Sequence, residues 1–359
     1  MLKIFITAKI LADFVSKEAT KQDHERSSFY RILKNKKYSK IYVGTIDNQS
    51  MNKINNFKQM NDFAIDKTKS KYVDSIPSNP KLVMQEPNSL FILNISKDEA
   101  SNISSTYGVL CFSADSIDYY KLIDPNIEYS PYTKEYVAGG WASILENVKN
   151  IPSNALIIVD RYLFTNDTKT FYNGINNLFS ILKLLLPEKH DKEFKYQVCV
   201  VFSACSEDKK GKALSFNELA TLVNKKKKEL ARSYPINIEM ICISSDSRFY
   251  NDTHNRRIVS NYYIVRAEHQ LGAFFGNNSS CSQTLTPQRL FTYYCLRSYS
   301  DPPMKSIEQT AKTLCSLSDI LKSEILHKLC YYAINGITMT PDKCKIEDNL
   351  RIINRILLR

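Results

Sequence analysis

The sequence predicts an α/β protein built on a mixed, largely parallel sheet flanked by helices, with a helical C-terminal region. Three observations carry this. Between about residues 85 and 270, short apolar runs alternate with amphipathic stretches, the order that layers helices on a sheet. Several runs are almost continuously apolar, as strands covered on both faces are. Two of the stretches between them carry helix start and stop signals.

At 359 residues the chain has room for about two domains. It is long enough to bury a core without disulfide staples. A hydrophobic content of 43% with 24% charge excludes a disordered chain. The nine cysteines include no C-x-x-C pair, which leaves a structural zinc cluster without its ligands and fits a reducing, cytoplasmic setting. Lys9 and Asp13 interrupt the apolar N-terminal run, and no small-residue cleavage site follows it, so it does not read as a secretory signal. The run 178–186 is short and carries Lys183; no membrane span is expected.

Taken in order, residues 1–85 are rich in Lys, Asn and Ser, with one strand candidate at 40–44. They form a separate lobe or the first units of the same sheet. Strand candidates follow at 89–95, 107–113, 155–160, 196–202, 238–244 and 257–265. Phe171, Ile175, Leu178, Phe179, Leu182 and Leu186 share a helix face that Pro187 ends. A second helix opens at Ser215 with Glu218 three residues on, a capping box, and Leu214 and Leu219 are placed as its hydrophobic staple. Beyond Asp301-Pro302-Pro303, Ser306 and Gln309 open a helical stretch whose spacing runs to Gly336, read as a C-terminal cap. A last helix carries Ile346, Leu350, Ile353 and Leu357. The expected divisions are 1–85, an α/β core at 86–284 and a helical region at 285–359.

The 49 Lys and Arg against 37 Asp and Glu give a net +12, which favours a polyanionic partner such as nucleic acid. Two stretches concentrate that charge. One is Lys225, Lys226, Lys227 and Lys228 in the helix opened by Ser215; from Asp208 to Arg232 eight basic residues face three acids, a local +5. The other is Arg256, Arg257 and Arg266 interleaved with Tyr262 and Tyr263. Cations and rings together suit single-stranded nucleic acid, whose phosphates take arginine and whose bases stack. Arg289, Tyr293, Tyr294 and Arg297 repeat the pattern. A lysine run also reads as a solvated helix face, and alternate rings on a strand as core.

Of the five histidines, His24 and His190 lie in polar runs and read as solvated loop residues, while His269 and His327 read as structural. His254 differs. It opens the segment His254-Asn255-Arg256-Arg257-Ile258-Val259-Ser260-Asn261 at the entrance to a strand, with spacing H-x-R-x-x-x-x-N. This segment resembles the H-x-K-x-x-x-x-D signature of the phospholipase D-like superfamily. The His-Arg form is similar to the phospholipase D-like C-terminal domain of proteins that carry a microtubule-interacting-and-trafficking module. Asp160-Arg161-Tyr162 at a strand end is compatible with it.

The resemblance implies a phosphate site in which His254 is the nucleophile, Arg256 holds phosphate oxygens and Asn261 stands where an acid orients the ring. Asn261 departs from the signature, because an amide supplies no negative charge. The chain holds no second H-x-[KR] motif with the right spacing, so an active site would need a homodimer pairing two copies of His254. The leading expectation is therefore a nucleic-acid-binding or nucleoprotein-binding accessory protein with a degenerate phosphate site, of the kind found in prokaryotic mobile-element and antiviral-defence systems, needing no cofactor or metal. The alternatives are a phosphodiesterase or nuclease using His254 in a homodimer, and a non-enzymatic subunit whose basic surface meets an acidic protein. Asp115, Asp160 and Asp246, each after a strand candidate, offer a further metal reading. Gly139-Gly140 lacks the rest of a nucleotide-binding loop, and Cys205 has no histidine near it in sequence.

Overall fold

The structure, a computed structural model, describes residues 2–22, 28–34, 36, 39–60, 64–115, 140–146, 148–203, 214–243, 256–267, 271, 285–289, 330–339 and 356, without the side chains of 28, 31, 59–60, 266–267, 285–289, 330–332 and 339. The chain divides into two compact units, residues 1–127 with 289–308 and residues 128–288 with 309–359.

The first unit holds a four-stranded parallel sheet of β1 (Leu2–Ile6), β2 (Ser39–Val43), β3 (Leu90–Leu93) and β4 (Leu110–Ser113), in the order β2-β1-β3-β4. The apolar N-terminal run thus begins as an inner strand and continues as helix α1 (Ala8–Ala19), which buries Leu11, Phe14 and Val15. The sequence pattern marks β2 but not β1, because strand and helix follow one another with only Thr7 between them and no turn signal. In-register Phe5, Tyr42 and Phe91 stack across three strands, with ring centroids 4.9 and 5.3 Å apart. Each such pair adds about 0.5–1.5 kcal/mol beyond the apolar area it covers. Helices α2 (Ser28–Lys34), α3 (Asn48–Met60) and α4 (Ser70–Ser75) follow. Helix α5 (Lys97–Tyr107) starts at a capping box of Ser96 and Glu99, and Gly108, at φ 62°, turns the chain into β4. The strand runs 89–95 and 107–113 therefore belong to the sheet of β1 and β2, which continues past residue 85.

The second unit is an eight-stranded mixed sheet. Its parallel centre is β5 (Ala155–Val159), β6 (Tyr196–Phe202) and β7 (Ile236–Ile243). Helix α6 (Asn173–Leu185) joins β5 to β6, and α7 (Phe216–Lys227) joins β6 to β7. Both helices expected between these strands are present, but Phe171, expected on the apolar face of the first, precedes α6 and is exposed. The capping box is formed, with the Glu218 N–H donating to Ser215 Oγ at 3.3 Å and the Ser215 N–H donating to Glu218 Oε2 at 2.9 Å. Leu214 and Leu219 are both buried. Every residue of β6 is buried, as a strand sandwiched between two others and covered on both faces must be.

The structure departs from the sequence pattern in three further respects. The run 257–265 is two antiparallel strands, β8 (Arg256–Ser260) and β9 (Tyr263–Ala267). The Ser260 hydroxyl accepts the N–H groups of Tyr262 and Tyr263 at 3.0 and 3.2 Å and closes the turn between them. Gly336 caps no helix. With Asn335 it forms the two-residue turn of a hairpin, following β10 (Leu285–Arg289), between β11 (Cys330–Ile334) and β12 (Ile337–Met339). Asn335 and Gly336 have φ 49° and 80°, the primed turn that an Asn-Gly pair favours. The remaining helical expectations at 306–329 and 346–357 lie outside the described residues, apart from Ile356. His190 is no solvated loop residue: it is buried edge-on between the rings of Tyr196 and Tyr234, at 5.8 and 5.2 Å.

Candidate functional site

In an open α/β sheet, ligands gather beyond the carboxyl ends of the parallel strands. At the carboxyl end of β5 stand Asp160, Arg161 and Tyr162. Strand β8 runs antiparallel beside β5, with Arg257 opposite Val159, so Arg256 arrives opposite Asp160. The pairing of two strands, 96 residues apart in sequence, thus builds the group.

Asp160 is fully buried. Its Oδ1 accepts the Tyr162 N–H at 2.9 Å, its Oδ2 accepts the Leu271 N–H, and Arg256 Nε lies 3.5 Å from Oδ1. Burial pushes its carboxyl above the usual range, against the pull of those N–H groups and of Arg256. The carboxylate is consequently a bracket that fixes the turn from within. On the outer side, the Tyr162 ring has the Arg161 guanidinium carbon 5.1 Å and the Arg256 guanidinium carbon 5.8 Å from its centroid. Tyr162 stays 37% exposed, whereas Arg256 is 17% exposed. A partly exposed ring with two guanidinium groups close to its centroid places aromatic surface and positive charge at one spot.

The loop after this group is held as firmly. Asp167, itself buried, accepts the N–H groups of Gly174 and Ile175 at 2.6 and 2.9 Å at the start of α6. Burial pushes its carboxyl up to about 6 despite those bonds. Gly174 is required there, since a Cβ would lie 2.0 Å from the Leu163 carbonyl oxygen.

The predicted site residues are distributed unevenly around this group. His254 lies outside the described residues, as do His24, His269, His327, Cys205 and Asp246. Arg257, next to Arg256 on β8, points to the other face and is only 2% exposed. Arg266 pairs with Arg257 through the backbone, and its side chain is outside the described set. Tyr262 and Tyr263 are core residues, 1% exposed each. Asn261 sits at the opposite end of β8 from Arg256. There its Oδ1 accepts the Asn154 and Ala155 N–H groups at 2.9 and 3.1 Å, and its Nδ2 donates to Asn154 Oδ1 at 3.0 Å. It fastens the start of β5 rather than joining Arg256.

The lysine run also lies away from Arg256. Lys227 Nζ donates to the Ile236 carbonyl at 3.1 Å and to Asn335 Oδ1 at 2.9 Å, at the amino end of β7, and burial lowers its pKa. Lys226 donates to Asn176 Oδ1 at 2.8 Å and lies over the Phe179 ring. Lys225 and Lys228 are exposed. The C-terminal end of α7 lies at the amino end of β7, whereas Arg161 and Tyr162 follow the carboxyl end of β5, so the two groups mark opposite ends of the parallel strands of one sheet. Asp115 follows a strand of the four-stranded sheet and Asp160 follows one of the eight-stranded sheet. Among the described residues no group of three His, Cys, Asp or Glu side chains could hold a metal ion, and no helix is long and apolar enough to cross a membrane.

In the sequence Arg161 and Tyr162 stand out only as the end of a strand. The signal that points to them is position, immediately beyond a parallel strand, and it gains force once β8 is known to bring Arg256 alongside. No protein-family model matches the chain, and no curated protein matches it.

Proposed function

We propose that the protein binds nucleic acid through the phosphate backbone at the carboxyl end of β5, with Arg161 and Arg256 as the cationic contacts. The observation that carries this reading is the convergence of two guanidinium groups on one exposed ring, over a turn fixed by a buried carboxylate. Guanidinium groups hold phosphate oxygens through paired N–H donors and stay charged at every physiological pH. The net +12 raises the local concentration of any polyanion. Asn261, engaged at the far end of β8, and Arg257, buried, take no part in this contact. The phospholipase D-like reading of His254 and the link to antiviral defence remain part of the proposal only as the setting in which such a phosphate-holding site would serve.

The test is fluorescence anisotropy of labelled oligonucleotides against the full chain across a salt series. Binding that weakens steeply with salt is expected, because each phosphate neutralised releases condensed counterion. Absence of binding to DNA and RNA at low salt would refute the reading. Retention by anionic vesicles in place of oligonucleotides would reassign the basic surface to lipid.

A further inference from the structure

We infer that Tyr162 is a stacking platform for an unpaired base, so that the site selects single-stranded over duplex nucleic acid. This rests on the phosphate-binding reading of Arg161 and Arg256 and names the class of strand they hold.

A single exposed ring is ordinary on a protein surface, but Tyr162 is one whose backbone is pinned and which has two cations beside it, so it can meet a base without rearrangement. Among the described residues only three large hydrophobic side chains are exposed, and two of them, Tyr162 and Phe171, lie on the single loop that follows β5. That loop is not free to fold them away. The Tyr162 N–H is held by buried Asp160, and its C-terminal part is held by Asp167 on the first N–H groups of α6. Phe171 is held out by a closed turn in which Thr168 N–H donates to the Phe171 carbonyl at 2.7 Å. The loop therefore presents rings at fixed positions, with cations beside the first of them.

Every nucleobase has a π face, but in a duplex both faces are already covered by neighbouring bases. Only an unpaired or splayed base can lie on Tyr162 while Arg161 and Arg256 take the adjoining phosphates. A duplex would meet the arginines alone. Stacking and ion contact also differ in their response to salt, since stacking releases no counterion.

The experiment compares labelled oligothymidine with a duplex of equal length on the full chain, for wild type, Tyr162→Ala, Tyr162→Phe, Tyr162→Trp and Arg161→Ala. Tyr162→Ala is expected to weaken single-strand binding between about fivefold and a hundredfold at an unchanged salt slope. Tyr162→Phe, which keeps the ring, should stay within about twofold of wild type. The fluorescence added by Tyr162→Trp should be quenched by oligothymidine, over the background of buried Trp141. Duplex binding should be weaker than single-strand binding and insensitive to Tyr162→Ala. If Tyr162→Ala leaves single-strand affinity intact while Arg161→Ala lowers the salt slope, the stacking inference is wrong and the phosphate site stands. If neither substitution changes binding, the site itself is wrong, and the stacking inference with it.

Discussion

Arg256 reaches the buried carboxylate of Asp160 across two antiparallel strands, with Nε 3.5 Å from Oδ1. One side chain thereby serves the interior and the surface: it offsets a desolvated charge and places a cation beside Tyr162. Removing the cation should unsettle the fold more than an ordinary surface change. Arg256→Gln is expected to cost about 3 kcal/mol in chemical denaturation, because it leaves a buried carboxylate with backbone donors alone. Asp160 already titrates above its unfolded value, so its contribution is full below the unfolded pKa and is lost as pH rises through the folded one. The deficit of Arg256→Gln should therefore be smallest in acid and widen as pH rises; a deficit that narrows with rising pH would contradict the pairing.

Asp167 gives a second pH signature. Its carboxyl is pushed up to about 6 by burial, again above the unfolded value. Its contribution to stability is present below about pH 4 and disappears as pH rises through about 6, a swing of about 3 kcal/mol from the difference in pKa. Asp167→Asn cannot ionise and should flatten that part of the stability profile. The check is urea unfolding of both proteins between pH 4 and 7, and parallel profiles would show that Asp167 titrates normally.

Asn261 is expected to behave as a structural clasp. Asn261→Ala leaves two buried N–H groups, those of Asn154 and Ala155, without the oxygen they share. A loss of about 2–3 kcal/mol follows from orphaning them. Oligonucleotide affinity, measured where the variant is still folded, should match wild type. A selective loss of binding at full stability would instead return Asn261 to the phosphate site.

Gly336→Ala tests the hairpin. At φ 80° an added Cβ costs about 1–2 kcal/mol, and here it would also lie 2.7 Å from Asn224 Cβ on α7. A shift of the urea midpoint to lower concentration is expected, and an unchanged midpoint would contradict the turn.

How much of this was legible in the sequence depends on whether the signal was local. The α/β class, β6 and both capped features of α7 follow from apolar runs and from Ser215 with Glu218, which act within a few residues. Asn335-Gly336 carried a hairpin signal that the helical spacing before it outweighed. β1 was hidden because Ile6 and Ala8 belong to different elements with only Thr7 between them, so no turn signal marks the change. His190 sits in a charged stretch, and only the rings of Tyr196 and Tyr234, brought by a strand and a later turn, give it a buried place. The site was least legible of all. Arg256 was singled out for its spacing to His254, but its neighbours Asp160 and Tyr162 come to it through the pairing of β5 with β8, which no local pattern encodes. The same pairing sends Asn261 to the other end of the sheet, and the lysines of α7 end at its amino edge.

The most direct measurement is the salt dependence of oligothymidine binding for wild type, Arg161→Ala and the double substitution Lys225→Ala with Lys228→Ala. Loss of one phosphate contact lowers the slope of log K against log salt by about 0.7 on a single strand. Arg161→Ala should show that decrease, and the lysine variant, altered at the far edge of the sheet, should keep the wild-type slope. A slope unchanged in Arg161→Ala but reduced in the lysine variant would place the contact on α7 and contradict a phosphate site at the end of β5.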